Sequence, residues 1–107
     1  MDGSQITMNE VMNDGKVVHV YFNNMTGLYM AFGLSAYIAA QHVGGNESYS
    51  EQFQMPVVQM TKAQYEELCS RLHVLKDAKK GHALIETTEN IIDAAYEEWA
   101  AGLRDNA

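Results

Sequence analysis

The sequence predicts a single α+β domain over residues 1–107: a three-stranded antiparallel meander, a short helix, an edge strand, then two C-terminal helices packed on the sheet. Three observations predict it. Short apolar runs in the first part of the chain alternate with Asn/Asp/Gly turns. Residues 54–68 have the pattern of a strand that runs directly into a capped helix. The C-terminal part carries apolar residues at helical spacing.

The composition is that of an ordinary globular protein. With 107 residues, 47% of them hydrophobic, the chain is long enough to bury a core without metal or disulfide staples. The lone cysteine, Cys69, cannot form an internal disulfide, which favours a reducing, cytoplasmic compartment. The N-terminus lacks the features of a signal peptide, and the longest apolar-rich run, residues 28–40, is too short to span a membrane.

The net charge restricts the class of partner. Fourteen acidic and seven basic side chains give a formal charge of −7. This charge repels phosphate backbones, so direct nucleic-acid binding is not expected. A basic protein partner remains compatible with it.

Three strands are expected to form the meander. In the first, apolar residues alternate along residues 6–12, although Glu10 interrupts the pattern. The Asn-Asp-Gly turn at 13–15 suits the positive φ angles of a tight hairpin. The second and third strands, at 16–22 and 28–32, are apolar on both faces, as expected for a sheet covered on both sides.

A change to helical spacing follows the meander. We expect a short helix over residues 36–43, with Ser35 as its N-cap and the following Gly-Gly pair as its end, although its alanines would also permit a strand. Residues 46–50 are expected to form a polar loop. The strand at 52–60 contains Pro56, which has no N–H to donate, so it should lie at a sheet edge or a bulge.

The helix after this strand has the strongest local signals in the chain. Thr61 and Gln64 have the spacing of a capping box, and Met60 and Tyr65 have that of a hydrophobic staple. Apolar residues then continue at helical spacing, which predicts a helix that extends to Leu75.

The last helix is expected to start near Thr87 or Thr88 and to run to about Leu103. Residues 83–85 permit either an extension of this helix or a short strand. The apolar stripe of the helix consists of Ile92, Tyr96, Trp99 and Leu103. We expect this stripe to be part of the core, with Trp99 buried.

A metal site is the first chemical possibility. On the predicted helix Cys69 and His73 lie one turn apart, and His82 could add a third ligand for zinc. However, the sequence contains no second cysteine and no fourth ligand at a fixed spacing. A thiol that packs as a small apolar group beside a surface histidine is the better interpretation, so neither a metal nor another cofactor is expected.

A ligand pocket near His19, Tyr21 and Tyr37 is the alternative site. His19 lies between two valines of the predicted central strand, where a histidine can serve as a general base with tyrosines as hydrogen-bonding neighbours. A partly buried histidine bonded to the backbone fits the same pattern. Because no nucleophile elbow, P-loop or dinucleotide fingerprint occurs in the sequence, a noncatalytic protein is favoured over an enzyme.

The most specific surface feature is acidic. Four carboxylates at steps of three, four and four residues would share one face of the last helix: Glu86, Glu89, Asp93 and Glu97. A solvated helix face is the default interpretation of such a charge run. The alternative is a docking surface for a basic partner.

The sequence therefore predicts a small acidic interaction or regulatory protein that binds a protein partner through its sheet face or its acidic last helix. We also expect a homodimer. If the helices pack on one side of the sheet, the other face exposes a larger apolar patch than monomers usually tolerate.

Overall fold

The computed structural model describes residues 3–77, 81–87 and 93–106. The elements in these ranges are α1 (Gly3–Val11), β1 (Val17–Asn23), β2 (Leu28–Phe32), α2 (Gly33–Val43), β3 (Asn46–Ser50), β4 (Met55–Met60), α3 (Lys62–Arg71), β5 (His73–Lys76), β6 (His82–Glu86) and α4 (Asp93–Asp105). The predicted α+β class is confirmed. None of the four helices described is long and apolar enough to cross a bilayer.

The six strands form one antiparallel sheet in the order β3-β4-β2-β1-β6-β5. The hairpin of β1 and β2 agrees with the last two strands of the predicted meander and places Tyr21 opposite Met30. On its other side β1 pairs with β6, so that Val17 lies opposite Glu86. This long-range pair brings the later part of the chain into the middle of the sheet.

One face of the sheet carries the larger core, which α2 and α3 cover. The strands contribute fully buried residues such as Val20 and Ile85, while Ile38 comes from α2 and Leu68 from α3. Trp99 of α4 packs against this core but is only partly buried. Val18 and Val20 of β1 thus face α2 and α3, since side chains two residues apart along a strand lie on the same face.

The opposite face carries a smaller core under α1. Ile6, only 1% exposed, joins Tyr21, Phe32 and Val57, and Phe53 packs against this group. The helices therefore divide between the two faces instead of packing on one side. The homodimer was predicted on the assumption that the helices pack on one side, which is not the case, and the oligomeric state itself stays a prediction.

The predicted first strand is wrong, because residues 6–12 belong to α1 and the turn that follows it. In the helix Ile6 faces the sheet, and Glu10, which interrupted the strand-like alternation, lies one turn further on the same inward side. The turn at 13–15 consequently joins a helix to a strand. Gly15 adopts a φ of 88° there, a conformation that favours glycine.

The predicted edge strand lies inside the sheet, between β2 and β3. The edge strand on this side of the sheet is β3, whose residues 46–50 were predicted to be a loop because they are polar. Pro56 lies opposite Tyr49 of β3, one residue beyond the last pair of β2 and β4, which is Phe32 with Val57. The missing N–H of the proline therefore interrupts no pairing with β2.

The capping box of α3 is confirmed. The Thr61 hydroxyl oxygen accepts the Gln64 N–H at 3.2 Å, and the Gln64 side-chain oxygen accepts the Thr61 N–H at 2.9 Å. The helix ends at Arg71 and does not continue to Leu75, because Leu72 is extended and the chain enters β5, where pairing with β6 replaces helical hydrogen bonds. Leu75, the last apolar residue of the predicted helix, is 50% exposed. Residues 83–85 form a strand, not a helix.

The last helix is described from Asp93 onward, so Ile92 lies outside the described residues. Thr87 follows β6 and is not helical. Tyr96, Trp99 and Leu103 are half-buried, and no described residue of α4 is fully buried. The expectation that Trp99 packs on the core is confirmed, but the expectation that it is buried is wrong. α4 lies across β3 and β4 at the surface, where the Trp99 ring N–H donates to Glu47 Oε1 at 2.8 Å.

Candidate functional site

A cleft of about 350 Å³ lies where α1 ends and where α2, β4 and α4 begin. Its lining residues are Glu10, Val11, Asn13, Gly33, Leu34, Met55, Asp93, Tyr96 and Glu97. We call it the Glu10 cleft. It combines three carboxylates with an apolar wall, and its volume is within the range of binding pockets for small groups.

Glu10 provides the N-terminal cap of α2 from a distant part of the chain. Its Oε1 accepts the backbone N–H of Ser35 at 3.1 Å, and its Oε2 accepts the Ser35 hydroxyl at 2.7 Å. Ser35 is the third residue of α2, where a free N–H otherwise lacks a partner. Ser35 was predicted as the N-cap itself. That prediction is wrong, because α2 begins two residues earlier and the cap is a side chain of α1.

Asn13 holds the end of α1 against β1 and α2. Its side-chain amide donates to Glu10 Oε1 at 3.2 Å and to the Val17 carbonyl at 2.9 Å, and its Oδ1 accepts the Gly15 N–H. The Ser35 hydroxyl oxygen, in turn, accepts the backbone N–H of His19 on β1. These bonds fix the Glu10 carboxyl group at the bottom of the cleft.

Burial raises the pKa of Glu10 to about 7, and the hydrogen bonds from Ser35 and Asn13 only partly oppose this effect. The pKa of Tyr96 is also raised, first by burial and then by the charge of Glu10. At neutral pH the Glu10 carboxyl group is therefore present in both protonation states. A cation that entered the cleft would favour the ionised form.

Of the four predicted partner-binding residues, the structure brings Asp93 and Glu97 together. They are exposed, one turn apart on α4, and both line the Glu10 cleft. Glu86 is exposed at the end of β6, so it does not share their helix face, and Glu89 lies outside the described residues. The sequence analysis did not identify Glu10 as a site residue. The available signal was that Glu10 is the one acidic residue that interrupts the apolar alternation of residues 6–12.

A second depression of about 470 Å³ extends the cleft along α4. The two share Met55, Tyr96 and Glu97, and the second also reaches Tyr49 and Arg104. We call the two together the α4 groove. From Asp93 to Arg104 it follows the helix for about 17 Å, at a rise of 1.5 Å per residue.

The alternative pocket is assembled only in part. His19 Nδ1 lies 3.0 Å from His82 Nε2, and the His82 ring stacks on Tyr21 with 4.8 Å between ring centroids. Tyr37 is elsewhere: its ring contacts those of Tyr96 and Trp99. Sequence reasoning did not pair His19 with His82, because only the β1–β6 register makes them neighbours.

Burial lowers the pKa of both histidines. Burial, followed by the neighbouring His82, lowers the pKa of His19 to about 4. Burial and the charge of Lys76 lower that of His82. A general base is most effective when its pKa lies near the operating pH, so His19 is a weak base here.

No group of three or more histidine, cysteine, aspartate or glutamate side chains in the described ranges could hold a metal ion. The zinc site that was considered for Cys69 and His73, and not favoured, required a continuous helix. Because α3 ends at Arg71, His73 lies on β5 and the helical spacing does not apply. Cys69 is half-buried, and burial raises the pKa of its thiol.

Comparisons of the chain with protein-family models, curated proteins and solved structures found no match in any of the three.

Proposed function

We propose that this protein is a noncatalytic interaction or regulatory protein that binds a basic segment of a partner protein in the α4 groove. The observation that carries the proposal is the Glu10 cleft, in which Asp93 and Glu97 form an exposed acidic rim above the buried Glu10 carboxyl group.

The charge of the cleft favours a cationic ligand. The ion pairs found between described residues join Lys62 to Glu66, Arg71 to Glu67, and Arg104 to Asp105. None of these pairs occupies a carboxylate of the cleft. A lysine or arginine of a partner therefore finds three acidic groups without competing for an ion pair among the described residues, and a net charge of −7 assists its approach.

The apolar wall suits the rest of such a side chain. Leu34, Met55 and Val11 can pack against the aliphatic stem of a lysine or arginine while its charged end reaches the carboxylates. Tyr96 adds an aromatic ring, on whose face a cation is attracted by the ring quadrupole. A purely solvated acidic face would not need this combination.

The size of the α4 groove indicates an extended peptide segment. A length of about 17 Å accommodates about five residues of extended chain. Because the carboxylates are at one end and Arg104 at the other, the groove favours a segment whose basic residues occupy the Glu10 cleft. The single half-buried Cys69 is compatible with a partner met in the reducing cytoplasm.

Peptide selection followed by direct binding measurements tests the proposal. Peptides are selected from a random display library against the wild-type protein, and their affinities are measured by fluorescence anisotropy at low and moderate salt. Selected peptides should be rich in lysine or arginine. Their binding should weaken as salt rises, because exposed charges are screened.

Glu97→Lys and Glu98→Lys form a matched pair for this experiment. Both are exposed, adjacent on α4 and equal in charge, but only Glu97 lines the groove. Glu97→Lys should weaken binding by about tenfold or more, and Glu98→Lys by clearly less. Equal losses for the two variants, or selected peptides without basic residues, would contradict the proposed function.

A further inference from the structure

His19 and His82 form a hydrogen-bonded pair on the sheet face that carries the smaller core. Tyr21 of that core lies opposite His82 in the β1–β6 register, and His19 is two residues before Tyr21, on the same face of β1. His19 Nδ1 lies 3.0 Å from His82 Nε2. With 5.2 Å between the ring centroids and 13° between the ring planes, this distance requires that the rings lie edge to edge. Two ring nitrogens therefore face each other across neighbouring strands.

The ring of His82 is oriented by contacts that do not use its facing nitrogen. It stacks on Tyr21, with 4.8 Å between centroids and 4° between planes. Tyr21 is buried, and its hydroxyl oxygen accepts the side-chain amide of Asn9 on α1 at 2.9 Å. Both histidines are half-buried, so solvent reaches the pair. Outer contacts of this kind orient the histidine ligands of metal sites.

We propose that His19 and His82 chelate a divalent transition metal ion, Ni²⁺ or Cu²⁺, through Nδ1 and Nε2, with water completing the coordination. Two nitrogens at about 2.0–2.1 Å from one ion are about 2.8–3.0 Å apart in a square-planar arrangement and about 3.3–3.4 Å apart in a tetrahedral one. The 3.0 Å between the two histidine nitrogens fits the square-planar range. Cu²⁺ and Ni²⁺ adopt this geometry with nitrogen and oxygen ligands. The rings have to turn so that both lone pairs point to the ion.

The protonation states of the pair suit metal binding at neutral pH. A histidine binds a metal ion as the neutral imidazole, and burial lowers the pKa of both rings. In the metal-free pair one neutral ring donates its N–H to the other. When the ion binds, that ring carries its single proton on its other nitrogen. Both facing nitrogens then become ligands, and no net proton is released.

The surroundings of the pair set the expected strength. In the described part of the chain no third histidine, cysteine or carboxylate joins the pair to make a larger metal-binding group. The charge of Lys76, which lies opposite Leu84 on β5, opposes a cation near His82, but Lys76 is exposed and therefore screened by salt. The net charge of −7 favours the approach of a cation. With two protein ligands instead of three or four, the ion should be exchangeable.

Calorimetric titration with Ni²⁺ tests the proposal on the wild-type protein and three variants. His19→Gln and His82→Gln should each raise the dissociation constant by about tenfold or more, because one of two protein ligands is lost. The control is His73→Gln, at an exposed histidine of β5 that lies opposite Glu86, at the other end of β6. It should leave the constant unchanged within about twofold. With Cu²⁺, electron paramagnetic resonance should detect two imidazole nitrogens in the wild-type protein.

Nuclear magnetic resonance of the wild-type protein keeps the test decisive if a substitution impairs folding. Substoichiometric Cu²⁺ broadens the signals of nearby amides, so those around His19 and His82 should disappear first. Broadening centred on the Glu10 cleft, a single imidazole nitrogen, equal losses of Ni²⁺ affinity in all three variants, or no binding of either ion would overturn the proposal. Because none of these measurements involves a basic peptide, their failure is distinct from failure of the proposed function.

Discussion

Two helices of this protein have first-turn N–H groups that donate to a side chain, but the capping side chains come from different distances along the chain. The cap of α3 is local, since Thr61 and Gln64 bond to each other across three residues at an exposed site. The cap of α2 comes from Glu10, 25 residues before Ser35, at a largely buried site. A local cap stabilises one helix, whereas the distant cap also joins α1, α2 and β1 and makes their stability depend on a titrating group.

The largest expected effect is at the distant cap. Ser35→Ala removes a fully buried hydroxyl that donates to Glu10 and accepts from the His19 N–H and the Asn13 side-chain amide, so three polar groups lose a hydrogen bond. We expect unfolding free energy to fall by about 3 kcal/mol in urea denaturation. Ser48→Ala, at an exposed position of β3, should change it by less than about 0.5 kcal/mol. Similar small losses for both variants would show that the distant cap contributes little.

The next effect is a pH dependence that only the distant cap should show. Glu10 has a pKa of about 7 when folded and 4.5 ordinarily, so between these values the folded state binds more protons than the unfolded state. The unfolding free energy of the wild-type protein, minus that of Glu10→Gln, should therefore decrease by on the order of 2 kcal/mol as pH rises from about 4.5 to about 7.

The comparison with Glu10→Gln is needed because His19 acts in the opposite direction. Its pKa of about 4 when folded means that stability from this group is lost as pH falls from about 6.5 to about 4. Denaturation of both proteins at several pH values isolates the Glu10 contribution as the slope of the difference. A difference that is flat, or that rises with pH, would mean that Glu10 is well solvated when folded.

A smaller effect is expected at the local cap. Thr61→Ala should lower the unfolding free energy by about 1 kcal/mol, because the Gln64 N–H loses its acceptor. Thr61→Ser, which keeps the hydroxyl, should retain most of the stability. The loss should be equal at pH 5 and pH 8. A loss that changed with pH would indicate that this cap, too, depends on a titrating group.

The smallest expected effect is the coupling free energy between the two caps, which a double-mutant cycle measures as the departure of two substitutions from additivity. Thr61 and Glu10 share no hydrogen-bond partner, so the effects of Thr61→Ala and Glu10→Gln should add within about 0.5 kcal/mol. Glu10→Gln combined with Ser35→Ala should deviate from additivity by more, because those residues bond to each other. A coupling of similar size in both double-mutant cycles would remove the distinction between local and distant caps.

The same distinction explains how much could be predicted from the sequence. The α3 cap, the β1–β2 hairpin and the end of α2 at Gly44 depend on neighbouring residues and were predicted correctly. The pattern of residues 6–12 is compatible with a strand or a helix. The helix is favoured by two distant contacts, the packing of Ile6 on the sheet and the hydrogen bonds of Glu10 to Ser35 of α2. β3 was missed because a polar strand at a sheet edge resembles a loop.

The candidate site was harder to predict than the fold. Asp93 and Glu97 could be found because helical spacing places them together. Glu10 lines the same cleft only because α1, α2, α4 and β4 come together there. The residues next to Glu10 in the sequence do not indicate that these elements are in contact. The stacking of His82 on Tyr21 likewise depends on strand register across most of the chain.

The β1–β6 pairing also has a consequence for how the chain assembles. Val17 finds its partner Glu86 across more than half of the sequence, and β5 can join the sheet only through β6. The β1–β2 hairpin can close early because its strands are adjacent, whereas the β6 side must wait for a long loop to close. We therefore expect folding on a timescale of milliseconds or slower, with β5 and β6 protected from hydrogen exchange later than the hairpin.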